Sequence, residues 1–144
     1  MTNGIEKILE TAKGYKACEK TDGITDMQSA IATLLTPQGR EFALNTGYPN
    51  LSTFRENAEE LGRVRGVFVD RGKCLASNMD CIAVGDTDLT LSLSGVERLY
   101  HVMAMHGAHV TVDARKYATV TITKAGGSVT VTGDGTAAIN IEKR

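Results

Sequence analysis

Three histidines stand within nine residues of one another: His101, His106 and His109. A metal ion needs three or four convergent ligands held by supporting hydrogen bonds. The run Met105-His106-Gly107-Ala108-His109 would bring two imidazoles around a turn, but no Cys or carboxylate stands at a matching spacing. The bland reading is preferred: His106 marks a tight turn, and His101 and His109 are solvated strand residues. Cys18, Cys74 and Cys81 are odd in number and form no Cys-x-x-Cys, which argues against a disulfide framework or a zinc finger. They are expected to be reduced, buried thiols, since a thiolate nucleophile needs an identified activating partner. Asp86-Thr87-Asp88 and Gly133-Asp134-Gly135-Thr136 lack the spacing of a calcium loop and read as turns. The glycine pairs precede no helix that would hold a phosphate, and no Gly-x-Ser-x-Gly elbow occurs. Asp80, Asp86, Asp88 and Asp113 could line one face of a strand stack as carboxylates for glycoside hydrolysis. A strand region of about 80 residues offers little groove for it. No catalytic, cofactor-binding or metal-ligating residue is therefore assigned, and no cofactor is expected.

The elements that hold these residues follow from composition and period. The 144 residues are 42% hydrophobic and 23% charged, with 15 Gly, 2 Pro and no Trp. With only three Phe and four Tyr, the core must be built from Val, Ile, Leu, Ala and Met. That is one domain's worth of chain, or two subdomains sharing a core. The formal net charge is −1, spread evenly: residues 1–73 hold ten basic and ten acidic side chains, and residues 74–144 hold six and seven. No basic patch invites a nucleic acid. No apolar run approaches the ~18 residues of a membrane span, and the N-terminus has no signal-peptide pattern. The expectation is no nucleic-acid and no membrane partner, and a product that stays in the cytoplasm of its producer unless it leaves by assembly into a particle.

Residues 1–63 read as a helical subdomain. Ile5, Ile8, Leu9 and Ala12 place one helix at 3–20. Thr25, with Gln28 as capping-box partner, opens a second, carrying Met27, Ile31, Leu34 and Leu35. Thr36-Pro37 opens a third, which carries Phe42 and Leu44 and stops at Asn45-Thr46-Gly47. Ser52 caps a fourth through Phe54, Ala58 and Leu61, ending at Gly62.

From residue 64 to 144 the period is 2. Short apolar pairs recur: Val67/Val69, Leu75 alone, Ile82/Val84, Leu91/Leu93, Val102/Ala104, Val110/Val112, Val120/Ile122, Val129/Val131 and Ile139/Ile141. Their steps run from 7 to 11 residues with a mean of 9, and turn residues fill most gaps. Residues 95–106 are ambiguous. Strands at this spacing build either a β-solenoid or an antiparallel β-sandwich. Small aliphatics in pairs, without an aromatic plug, favour the narrow interior of the solenoid. The fold expected is thus α+β: short N-terminal helices that dock or cap a C-terminal β-solenoid-like strand array.

Gly66-Val67-Phe68-Val69-Asp70-Arg71-Gly72, Ile82-Ala83-Val84-Gly85-Asp86-Thr87, the run Leu99 to Ala108, Tyr117-Ala118-Thr119-Val120-Thr121-Ile122 and Asp134-Gly135-Thr136-Ala137 give the last 100 or so residues a distinctive text. It resembles a group of small uncharacterised proteins encoded by phages and prophages of gut Bacteroidetes, which also begin with short helices and end in strand repeats. The resemblance implies a phage context and a virion- or tail-associated role; it brings no activity and no site residues. The function expected is a non-enzymatic structural or binding module, partnered by itself or by virion or tail proteins. The alternatives are a polymerising cytoplasmic scaffold of the bactofilin kind and a small enzyme acting on carbohydrate or cell wall.

Overall fold

The computed structural model describes residues 26–143; the helix expected at 3–20 and Cys18 lie outside them. Four helices come first: α1 (Met27–Leu34), α2 (Pro37–Thr46), α3 (Leu51–Glu56) and α4 (Ala58–Leu61). Nine strands follow: β1 (Val67–Val69), β2 (Gly72–Ser77), β3 (Cys81–Val84), β4 (Thr87–Ser94), β5 (Leu99–Met105), β6 (His109–Arg115), β7 (Thr119–Ala125), β8 (Ser128–Gly133) and β9 (Ala138–Lys143). Each of the nine apolar groups read from the sequence falls on its own strand, and the ambiguous stretch 95–106 holds β5.

Odd and even strands separate into two sheets. Sheet A has the order β1-β3-β5-β7-β9 and sheet B the order β2-β4-β6-β8. All seven strand ladders are parallel, which excludes the antiparallel sandwich and leaves the β-solenoid. The nine-residue step is half a coil. Stacked partners such as Val67 and Ile82, Ile82 and Met103, Val102 and Ile122, or Ile122 and Ile141 lie one full coil apart, 15, 21, 20 and 19 residues.

Parallel ladders put like positions on top of one another, so each interior position becomes a column. Leu89, Val110 and Val129 form one column of sheet B, continued at its first strand by Cys74. Tyr100, Val120 and Ile139 form one column of sheet A. Between the sheets, Cys81, Ala83, Leu89, Leu91, Leu93, Val102, Ala104, Val110, Val112, Val120 and Ile122 make a continuous buried core. Tyr100 belongs to it as well, against the expectation of no aromatic. Its ring sits at a coil corner, where its hydroxyl reaches the Ser94 carbonyl at 3.3 Å and Asn78 Oδ1 at 3.5 Å.

A second core corrects the expected register. In β1 and β3 the larger aliphatics, Val67, Ile82 and Val84, point out of the solenoid, and the smaller Cys81 and Ala83 point in. Met103 and Met105 of β5 also point out. These residues meet Met27, Leu34, Ala43, Phe54 and Leu61 of the helices. The four described helices therefore cover the outer face of sheet A. A two-faced burial explains why β3 is fully buried along its length, as strands with both faces covered usually are.

Local signals set the helix ends, with two corrections. The cap of α1 is Asp26, one residue after the expected Thr25. Its carboxylate accepts from the Ser29 amide at 2.8 Å, and Ser29 Oγ accepts from the Asp26 amide at 3.0 Å, so Ser29 replaces Gln28 in the capping box. A carboxylate suits this position because it also meets the positive end of the helix dipole. Asn50, not Ser52, caps α3, accepting from the Thr53 amide at 2.8 Å. The expected fourth helix is broken at Asn57, whose side chain donates to the Thr53 carbonyl at 2.8 Å and so competes with the helical ladder. Thr36-Pro37 and Gly47 (φ 71°) start and stop α2 as expected.

Candidate functional site

Outward-facing positions of sheet A form rows that run across the coils. The rows Val67/Ile82/Met103 and Val69/Val84/Met105 lie under the helices. Towards the last coils the first of these rows turns polar, with Thr123 and then Glu142 stacked beyond Met103. The neighbouring row is His101, Thr121 and Asn140. Helix α2 leans over this polar end and lowers one charged side chain into it.

That side chain is Arg40, only 8% exposed. Its Nε donates to Glu142 Oε1 at 2.7 Å, and one terminal nitrogen donates to the Leu35 carbonyl at 2.6 Å. The same nitrogen lies 3.4 Å from His101 Nδ1. Thr123 Oγ1 donates to the same Glu142 oxygen at 2.9 Å. Burial disfavours the charged form of Glu142, yet the Arg40 guanidinium and the Thr123 hydroxyl more than offset it and hold the carboxyl below its ordinary value. Burial, together with Arg40 and Arg98, keeps His101 below its ordinary value against the pull of Asp80 and Glu142. A neutral His101 is the form that accepts from Arg40. This network ties α2 to the last strand and is a brace: every polar partner is used in holding two elements together.

A second polar group sits at the corner where the chain passes from sheet B to sheet A. Asp80, just before β3, accepts from the His101 amide at 3.0 Å and pairs with Arg98 at 2.9 Å. The Arg98 guanidinium also stands 5.0 Å over the Tyr100 ring. Arg65, just before β1, lines the same small cleft as Met79, Asp80 and Arg98.

The three histidines go to three places. His101 lies under Arg40 on sheet A and is half-buried, not solvated. His106 marks a turn with φ 56°, and its Nε2 lies 2.7 Å from the Pro49 carbonyl, with the ring against Phe54. His109 is on the outer face of sheet B among the hydroxyls of Ser128, Thr111 and Thr130. No group of three or more His, Cys, Asp or Glu side chains able to hold a metal ion occurs among the described residues.

Burial pushes the Cys81 thiol up to about 12 and also raises Cys74. Neither thiol is activated, and both face the solenoid interior as packing groups. The four aspartates do not share one face. Asp88 and Asp113 lie on the outer face of sheet B in separate rows, opposite His109 and Ser92. Asp113 is paired with Arg115 at 3.0 Å. Asp80 is at the opposite corner, and Asp86 gives its amide to Asp70 at 2.8 Å. Asp134 holds a turn, accepting from the Thr136 hydroxyl and amide and from the Lys116 amide; these bonds lower it to about 2. The turn reading of that stretch stands.

Sequence reasoning missed Arg40, Glu142 and Thr123. Arg40 carried a faint signal, since it precedes the buried Ala43 by three residues on the same helix face. Glu142 carried none, because its parity marked it simply as outward-facing.

Among the described residues no helix is long and apolar enough to cross a membrane. No protein-family model matches this chain, and no curated protein or solved structure is significantly similar to it. The fold and geometry define a parallel, two-sheet β-solenoid sided by a helical layer.

Proposed function

We propose that the chain is a non-enzymatic structural or binding module that works within a larger protein assembly, which the resemblance places in a phage virion or its tail. It would be made in the cytoplasm of the producing bacterium and leave it with the particle. The observation that carries this reading is the last coil. Val131 and Ile141 stand in interior columns above Val112 and Ile122, yet they are 39% and 46% exposed. Among the described residues β8 pairs only with β6, and β9 only with β7. Exposed apolar positions beside strands that have one unpaired edge within the described residues are a template for another strand. The braced polar groups support a rigid part over a catalytic one: no fully buried side-chain nitrogen or oxygen lacks a partner among the described residues.

The end of the stack is small. Six-residue strands span ~20 Å and facing sheets lie ~10 Å apart, so end-on contact covers roughly 200–300 Å² per partner. A stable interface needs about 800 Å². A lasting contact therefore also draws on a second surface, as in a particle with several neighbours. Head-to-tail polymerisation is the second reading, favoured by β2, which among the described residues pairs only with β4 and leaves Cys74 and Ala76 half-buried. Sedimentation velocity separates the readings. The first gives small oligomers or co-sedimentation with particles, lost in a Val131→Lys/Ile141→Lys variant; the second gives filaments that grow with concentration. A strict monomer in both tests overturns both.

A further inference from the structure

We propose that the corner cleft between Arg65 and Arg98 is a binding site for a tetrahedral oxyanion, a phosphate or sulfate group. The cleft has a volume of about 240 Å³ and is lined by Arg65, Met79, Asp80 and Arg98. Drug-sized ligands occupy pockets of roughly 300–1,000 Å³, so this one suits a small ion or the terminal group of a larger molecule. Two guanidinium groups and one carboxylate line it, which leaves it net positive.

The solenoid explains why two arginines meet here. Val67 stacks on Ile82 in the coil register, which carries Arg65 onto Asp80 two residues earlier. Arg98 comes from the equivalent corner of the next coil, just before β5. Asp80 takes up one Arg98 nitrogen and no more: the oxygen that accepts from it at 2.9 Å also accepts from the His101 amide at 3.0 Å. That pairing, with the Tyr100 ring 5.0 Å below, holds the Arg98 guanidinium in one place and leaves most of its five donors free. Arg65 makes no hydrogen bond or ion pair with any described residue and is exposed. One fixed and one free guanidinium on a shared cleft form a clamp that can close on an oxyanion through charge-assisted hydrogen bonds.

The test uses the full chain in chloride buffer at constant ionic strength, titrated with inorganic phosphate, with sulfate and with glucose 6-phosphate, and read by thermal melts and calorimetry. The expected result is a saturable rise in Tm with phosphate and sulfate that chloride does not produce. Arg65→Met breaks no hydrogen bond or ion pair among the described residues and should weaken the affinity at least about tenfold, equivalent to ~1.4 kcal/mol. Arg98→Met should do the same, and Arg71→Met, outside the cleft, should leave it unchanged. Equal affinity for phosphate and glucose 6-phosphate assigns the site to the free ion; tighter glucose 6-phosphate assigns it to a phosphate carried on an organic molecule. Phosphate acting no more strongly than chloride, or an undiminished response in the Arg65→Met/Arg98→Met chain, would overturn the proposal.

Discussion

Removing the Glu142 carboxylate tests the brace between α2 and the last strand. Arg40 is nearly fully buried, and its side chain is 9% exposed against 31% for Glu142. Glu142→Ala leaves a buried guanidinium whose remaining polar partners among the described residues are the Leu35 carbonyl and His101. Breaking a buried ion pair from one side typically costs ~3–5 kcal/mol. Water reaches the Glu142 side of this pair, so about 2–3 kcal/mol is expected. Glu142→Gln keeps an acceptor for Thr123 and Arg40 and exchanges a charged hydrogen bond for a neutral one, for about 1–2 kcal/mol. Arg40→Met keeps the packed stem and frees a carboxylate that solvent can hydrate, for about 1 kcal/mol. The order should be Glu142→Ala, then Glu142→Gln, then Arg40→Met. The double variant Arg40→Met/Glu142→Gln should be less destabilised than the two singles together. Urea denaturation measures each value, and at about 4 °C per kcal/mol the first variant should melt some 8–12 °C lower.

The same brace sets a pH dependence. Glu142 is depressed in the folded chain, so its contribution is full above its ordinary value of 4.5 and is lost as pH falls through the folded value. His101 is also depressed, so the folded state prefers it neutral, and stability declines as pH drops below its ordinary 6.5. Both groups weaken the fold on acidification, and Glu142→Gln should flatten the lower part of that decline. An Arg40→Met variant less stable than Glu142→Ala, or a strictly additive double variant, would refute the reasoning.

Three further outcomes are expected. Val120→Asp places an unpaired charge between the sheets and should cost several kcal/mol; Thr121→Asp, at 7% exposure on the braced face, should also destabilise measurably, whereas Thr90→Asp on the open face of sheet B should stay within about 0.5 kcal/mol, all three read by denaturation. Gly39→Ala drives a methyl into the Thr33 carbonyl and the Leu34 backbone, where α1 meets α2, and should cost about 1–3 kcal/mol in the same assay. Thiol titration near neutral pH should find Cys81 inert in the native chain and reactive only on unfolding, since its thiol lies near 12.

Much of the architecture is written locally, and local signals were legible. Alternating apolar pairs with turn residues between them located all nine strands, and the β-branched and small interiors pointed to a solenoid. Thr36-Pro37 and Gly47 bounded α2 because capping depends on neighbours three or four residues away. The sequence does not say which face of a strand is which once both are apolar. In Cys81-Ile82-Ala83-Val84 either parity makes a credible interior, and only the helical layer decided that Ile82 and Val84 face out while Cys81 and Ala83 face in. Period alone could not tell a nine-residue hairpin from half of a coil, because parallel or antiparallel pairing is a property of the closed sheet. The polar groups were least legible of all. Arg40 and Glu142 are 102 residues apart, and Arg65, Asp80 and Arg98 come from the same corner of three successive coils. Stacking one coil on another brings them together, and the coil length that does so, 15 to 21 residues, is set by packing across the whole core.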